Sequence, residues 1–205
     1  MKKIVMVHIP KTAGGSIERW FGSNVDTANF RLVSSHRFIE GLAKENPTFE
    51  YSFAVVRNTY DRIISGYLFL KHKQELKLRK QSKKKTTDRN LEVYDHALKM
   101  LKIYDKGLEY FVEYAQENPT IISFPQIRWI QGVDHIFRME NLVEDFKKIQ
   151  KDVNCFVPLD KTNHVLQYNK QEYMTKKFIS VVEKYYTDEI QFFNYKPSVI
   201  YGNND

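Results

Sequence analysis

Lys11, His36 and Arg57 are the residues of this 205-residue chain whose types and spacing can do chemistry. Lys11 stands in His8-Ile9-Pro10-Lys11-Thr12-Ala13-Gly14-Gly15-Ser16-Ile17, which joins a mobile cation to a pair of glycines. Glycines let backbone approach a ligand closely, and the free amides that open a helix carry partial positive charge, so such a loop can hold phosphate. A strand-to-helix turn without a ligand would share this composition; the stretch alone favours phosphate without requiring it. It is not a Walker A loop, because the Gly-x4-Gly-Lys-Ser/Thr spacing is absent and the lysine precedes the glycines. Arg57 opens Arg57-Asn58-Thr59-Tyr60-Asp61-Arg62, with Ser65 eight residues on. A guanidinium fork and a hydroxyl two helical turns along can hold a second phosphate. His36 adds an imidazole, a group that titrates unperturbed near pH ~6.5 and can accept a proton from a hydroxyl at neutral pH.

Each of the three follows a run that reads as a strand. Residues 4–7 are Ile-Val-Met-Val, residues 30–34 end at Ser34-Ser35-His36, and residues 51–56 close on Phe53-Ala54-Val55-Val56. A helix follows each one. Ile17, Trp20 and Phe21 recur at helical spacing, Phe38, Ile39 and Leu42 mark a short helix, and Tyr60, Ile63, Ile64, Tyr67 and Leu68 mark a longer one. Further helices are expected at 91–100, 108–115, 124–130, 142–153 and 171–186, with a strand at 134–139 and a long loop at 154–168. Strands alternating with helices predict an α/β fold of three layers, with a central, mostly parallel sheet flanked by helices. Ligands of such sheets sit beyond the carboxyl ends of the strands, where Lys11, His36 and Arg57 all fall.

Composition narrows the classes. The length fits a single domain spanning 1–205. The one cysteine, Cys155, cannot form an internal disulfide and reads as a small buried apolar residue in a reducing compartment. No leading signal and no membrane-length apolar run is seen, so a cytoplasmic protein is expected. The net charge of +7 is concentrated: between Lys71 and Arg89 nine basic residues face two acids, a balance of +7 that leaves the remainder about neutral. This basic insertion, at about 71–90, reads as a solvated helix-loop, a landing strip for an acidic polymer, or a nucleic-acid contact. Aromatic residues are not interleaved with the lysines, which disfavours nucleic acid.

Taken together, the Lys11 loop and Val56-Arg57-Asn58-Thr59-Tyr60-Asp61-Arg62-Ile63-Ile64-Ser65-Gly66-Tyr67 resemble the sulfotransferases that use 3′-phosphoadenosine-5′-phosphosulfate, especially the carbohydrate-type branch that acts on heparan- and chondroitin-type acceptors. Phe137-Arg138-Met139-Glu140-Asn141-Leu142, Asp145-Phe146 and the closing Tyr185-Tyr186-Thr187-Asp188 with Phe192, Phe193 and Tyr195 extend the resemblance along most of the chain. The resemblance implies a P-loop-like fold and no metal, and no metal-ligand spacing is present. It also implies that Lys11, Thr12, Ala13, Gly14, Gly15 and Ser16 hold the 5′-phosphosulfate, that Arg57 and Ser65 hold the 3′-phosphate, and that residues 163–168 touch the adenine or the 3′-phosphate.

Two departures stand out. Gly15 replaces a frequent Thr or Ser, leaving Thr12 and Ser16 as hydroxyl donors, and Thr59 replaces the usual Pro, where its hydroxyl can serve the first helical turn.

Lys11 would act catalytically by neutralising charge on the leaving phosphate, helped by the amides of Gly14, Gly15 and Ser16. His36 is the expected base; some relatives pair this His with another, and none adjoins His36 in the sequence. His8 is expected to orient the loop, while Trp20 and Trp129 read as core rather than as base-stacking residues. The expected acceptor is a hydroxyl on a carbohydrate or another small molecule. Two other readings compete. A P-loop-like small-molecule kinase would leave the Arg57 and Ser65 pair without a task. A non-catalytic nucleotide- or polyanion-binding module would tolerate loss of His36.

Overall fold

A computed structural model of the chain describes residues 1–81, 88–159 and 169–198. Four strands, β1 (Lys2–Val7), β2 (Phe30–Ser35), β3 (Tyr51–Val56) and β4 (His135–Arg138), form one parallel sheet in the order β2-β1-β3-β4. Around it, among the described residues, lie α1 (Gly14–Asn24), α2 (Ile39–Glu45), α3 (Thr59–Gln81), α4 (Asp88–Tyr104), α5 (Leu108–Glu117), α6 (Leu142–Asp152), α7 (Lys170–Tyr173) and α8 (Lys176–Phe193). The α/β architecture is the one expected from the alternation of strands and helices.

Both faces of the sheet are covered, and the side chains of β1 and β3 sort between them with period two. Ile4, Met6, Phe53 and Val55 pack with Phe137 of β4 under Ile17, Trp20 and Phe21 of α1 and Phe146 and Ile149 of α6. Val5, Val7, Ala54 and Val56 pack on the other face against Ile39 and Leu42 of α2, Trp129, and Phe193 of α8. Both tryptophans are buried in these cores, and the indole N–H of Trp20 donates to the Val157 carbonyl at 2.8 Å. Cys155 packs beside the first core, as an apolar side chain would. A third core lies off the sheet, where Tyr60, Ile64 and Tyr67 of α3 meet Phe111 of α5 and Phe178 and Val182 of α8. Burying one such side chain contributes about 1.5–3 kcal/mol, so α3 is anchored along its first half by this core.

Helix lengths depart from expectation where tertiary contacts replace apolar periodicity. Spacing alone ends α3 near Leu68, yet the helix runs to Gln81 because α4 packs along it and Lys71 bonds Asp105 at 2.9 Å. Much of the basic segment is therefore the second half of a helix; residues 82–87 lie outside the described residues, as do 163–168. The single helix expected at 171–186 is two, divided at Met174, and the Thr175 hydroxyl accepts from the Phe178 amide at 3.0 Å to start α8. The short helix expected at 124–130 is one 3-10 turn, Gln126–Arg128. Among the described residues, no helix is long and apolar enough to cross a membrane.

Candidate functional site

The chain leaves β1 to build β2 on one side and then crosses back to build β3 on the other, so the reversal of strand order lies between β1 and β3. Lys11 follows β1, Arg57 follows β3 and His36 follows β2. Adjacent strands lie ~4.8 Å apart, so the three strand ends form a row roughly 10 Å long with lysine at the centre.

The Lys11 loop is held in a strained shape. Lys11 and Ala13 both have left-handed backbone, with φ of 71° and 68°, a conformation that costs a non-glycine residue about 1–2 kcal/mol. Buried Thr12 offsets this by donating its hydroxyl proton to the Ile9 carbonyl at 2.8 Å. The amides of Ser16 and Ile17 donate to the Ala13 carbonyl. This corrects the sequence reading at two atoms: the Thr12 hydroxyl proton and the Ser16 amide are committed to the loop. The amides of Gly14 and Gly15 remain, and no described side chain caps α1. Gly14 has a specific reason to be glycine, since a Cβ there would sit 2.1 Å from the His8 ring.

Lys11 crosses above Gly66 of α3 and sets its Nζ 4.1 Å from the centre of the Phe69 ring. Burial, and then the neighbouring Arg57 guanidinium, push its pKa down to about 8. Arg57 Nη1 donates to the Lys11 carbonyl at 3.2 Å, tying the loops after β1 and β3 together. No described carboxylate pairs with either cation. Two neighbouring cations with no described counter-charge are the electrostatic signature of a site for an anion.

Arg57 is positioned by residues that local pattern does not mark. The buried Gln126 side chain accepts from the Arg57 amide and donates to its carbonyl, each at 2.8 Å, as a neighbouring strand would. Glu189, also fully buried, accepts from the Gln126 side chain at 2.8 Å and from its backbone amide. The Thr59 hydroxyl donates to Glu189 at 2.6 Å, so it does not serve the start of α3. Asn58 does that instead: its Oδ1 accepts from the amides of Tyr60 at 3.1 Å and Asp61 at 3.4 Å. Ser65 is half-buried on α3, on the i, i+4 stripe between Asp61 and Phe69, the ring that carries the Lys11 head. Asp61 accepts from Lys170 at 2.6 Å and from Ser198 at 2.7 Å, fastening the start of α7 and the chain after α8 to this stripe.

At the other end of the row, His36 is exposed, and its Nδ1 lies 2.5 Å from the His8 carbonyl oxygen. A carbonyl only accepts, so Nδ1 carries the proton and Nε2 of the neutral ring presents a lone pair. The partner histidine missing from the local sequence is present in space: the His8 and His36 rings are 4.1 Å apart, centre to centre. His8 itself is held by its Nδ1 to Glu18 at 2.9 Å, and the Ser34 hydroxyl donates to the same carboxylate oxygen at 2.6 Å. Burial first, and then His36, lower the His8 pKa and keep the ring neutral against Gly14. His8 thus shapes the loop and supplies the carbonyl that orients His36. A cleft of about 350 Å³ opens beside His36 between Phe38, Phe124 and Trp129.

The family model described as the sulfotransferase family matches residues 1–196. No curated protein and no solved structure matches the chain.

Proposed function

The chain belongs to the sulfotransferase family, and on that premise we propose that it moves a sulfuryl group from 3′-phosphoadenosine-5′-phosphosulfate to the hydroxyl of a carbohydrate or another small acceptor. One observation carries the choice of donor: Lys11 and Arg57 meet where the strand order reverses, linked to each other and paired with no described carboxylate. A donor with phosphates at both ends of its ribose supplies an anion for each cation.

The chemistry supplied by the donor is a sulfuryl group bound through an oxygen to a phosphate that leaves readily once its charge is met. His36 Nε2 takes the proton from the acceptor hydroxyl, and the acceptor oxygen forms the new bond to sulfur. The bond from sulfur to the bridging oxygen breaks, and its electron pair stays with the departing 3′,5′-bisphosphate. The Lys11 ammonium and the amides of Gly14 and Gly15 meet that growing charge, as preorganised donors do best in a water-poor site. Arg57 and Ser65 grip the far phosphate and set the in-line approach. The fixed tautomer of His36 aims its lone pair without a search over ring states.

Thermal unfolding with 3′,5′-adenosine bisphosphate, compared with ADP and with magnesium ATP, tests the donor. At roughly a hundred times its dissociation constant a specific ligand adds about 2.7 kcal/mol of stability. The expected shift appears with the bisphosphate and disappears in Arg57→Ala. A shift with magnesium ATP alone would replace the sulfotransferase reading with the kinase.

A further inference from the structure

The cleft beside His36 differs in chemistry from the cation pair next to it. Phe38, Ile121, Phe124 and Trp129 supply half of its described lining residues and all of its large apolar side chains. Phe38 and Trp129 lie with ring centres 5.0 Å apart, and Phe38 and Ile121 are 40% and 43% exposed. That leaves apolar surface facing water immediately next to the proposed base.

The lining offers little to a charged or hydroxyl-rich ligand. Arg37 is its one described Lys or Arg, and its guanidinium is held against α2: Nη1 donates to Glu45 at 2.7 Å and Nη2 to the Gly41 carbonyl at 3.2 Å. Glu40 at the rim repels anions. A sugar ring brings several hydroxyls, each of which loses its water partners on entry and needs a replacement. The wall is also fixed. Fully buried Arg62 donates to the carbonyls of Ile122 and Phe124 at 2.8 and 3.0 Å, and the Tyr186 hydroxyl donates to the Ser123 carbonyl at 2.7 Å. A volume of about 350 Å³ is at the small end of small-molecule clefts and suits one or two rings rather than a polymer.

We infer that this cleft seats an uncharged acceptor with a flat apolar body and a single hydroxyl, a phenol or a comparably hydrophobic ring alcohol, with its hydroxyl at His36 and its ring against Phe38 and Trp129. The inference rests on the sulfuryl-transfer reading for what happens to that hydroxyl, and departs from the carbohydrate expectation. The Phe38 side of the cleft is open to substitution without disturbing a core. Phe38 stands at the N-cap position of α2, with φ −67° and ψ 156° and no side-chain cap. Aspartate is a favoured residue there, so Phe38→Asp keeps the fold while placing charge in the cleft.

The test has two independent readouts. Calorimetric titration of 2-naphthol measures the cleft with no donor present. Transfer of labelled sulfate from 3′-phosphoadenosine-5′-phosphosulfate to 2-naphthol, methyl glucoside and a hyaluronan tetrasaccharide measures acceptor choice. Wild type is expected to bind 2-naphthol, and Phe38→Asp to bind it about tenfold or more weakly, the loss of an aromatic contact plus a new charge. Transfer to 2-naphthol should exceed transfer to either sugar, with Phe38→Asp raising KM more than it lowers kcat. Equal binding by wild type and variant, no binding by either, or preferred sulfation of a sugar overturns the inference. Binding as expected with no transfer to any acceptor upholds the ligand class of the cleft and defeats the sulfuryl-transfer reading instead.

Discussion

Two junctions of the same kind, β1 to α1 and β3 to α3, end in opposite states. Each leaves a parallel strand next to the point where strand order reverses, and each feeds a helix whose first amides need acceptors. After β3 the protein supplies them itself: Asn58 caps α3, Gln126 satisfies the backbone of Arg57, and what remains to face a ligand is a guanidinium. After β1 no described side chain caps α1, and Thr12 is used to hold a left-handed turn that leaves the amides of Gly14 and Gly15 open. One junction is closed and lends a charge, and the other is left open for a ligand to close. An anionic donor would therefore be both substrate and helix cap at β1, but only a charge partner at β3.

That contrast breaks first at Lys11. Lys11→Ala should lower kcat about 100- to 1000-fold, the scale for losing one donor to transition-state charge, and leave the unfolding temperature unchanged or slightly higher. The stability part follows from its pKa, held near 8 by burial and Arg57. The unfolded chain has the ordinary, higher lysine pKa and binds more protons between about pH 8 and 10.5, so the charged side chain costs the folded state stability below that window. Steady-state kinetics with parallel calorimetry check both parts. An Arg57→Ala variant with the same kcat loss and no change in donor affinity would erase the distinction between the junctions.

The same depressed pKa gives a pH signature. An anion favours protonated Lys11, so Lys11 takes up a proton when the 3′,5′-bisphosphate binds, once the free protein has lost it. Its dissociation constant should be flat below about pH 8 and rise about tenfold per pH unit above. In Lys11→Ala the rise should vanish. Isothermal titration across pH 7 to about 9.5 in buffers of different ionisation enthalpy reads both the affinity and the proton taken up.

How far the sequence foretells this contrast depends on how local each cause is. The Lys11 loop is legible because its chemistry lies within a few residues of chain: a strand, a cation, two glycines and a helical stripe. Arg57 is legible for the same reason. The residues that position them are not. Gln126 reaches Arg57 across 69 residues and Glu189 reaches Gln126 across 63, and neither has a pattern around it beyond a buried polar type. His8 and His36 are 28 positions apart and meet only because β1 and β2 are neighbours in the sheet. Apolar spacing ends α3 at Leu68 because the second half of that helix is supported by α4, not by a stripe of its own.

Gly14 sharpens the open junction. A methyl group there meets the His8 ring at 2.1 Å, and the ring, held by Glu18, must turn away. Gly14→Ala should cost about 1–3 kcal/mol, the range for overpacking a tight contact. It should also disturb the His8 carbonyl that holds the His36 tautomer, so kcat falls more than donor affinity. Crystallography of the variant would show the His8 ring displaced; an undisturbed ring would leave the fall in kcat without this cause.

Asn58→Ala tests the closed junction and should have the smallest effect. It removes a helix cap worth about 1 kcal/mol, together with the bond from Asn58 Nδ2 to the Lys196 carbonyl at 2.7 Å. The amides of Tyr60 and Asp61 then lack their acceptor. Stability should therefore fall by about 1–2 kcal/mol while donor affinity changes less than about threefold, because Gln126 still fixes the Arg57 backbone. Chemical denaturation with and without the bisphosphate separates the two numbers. If affinity fell in step with stability, the cap itself would be part of the donor site, and the two junctions would be working as one.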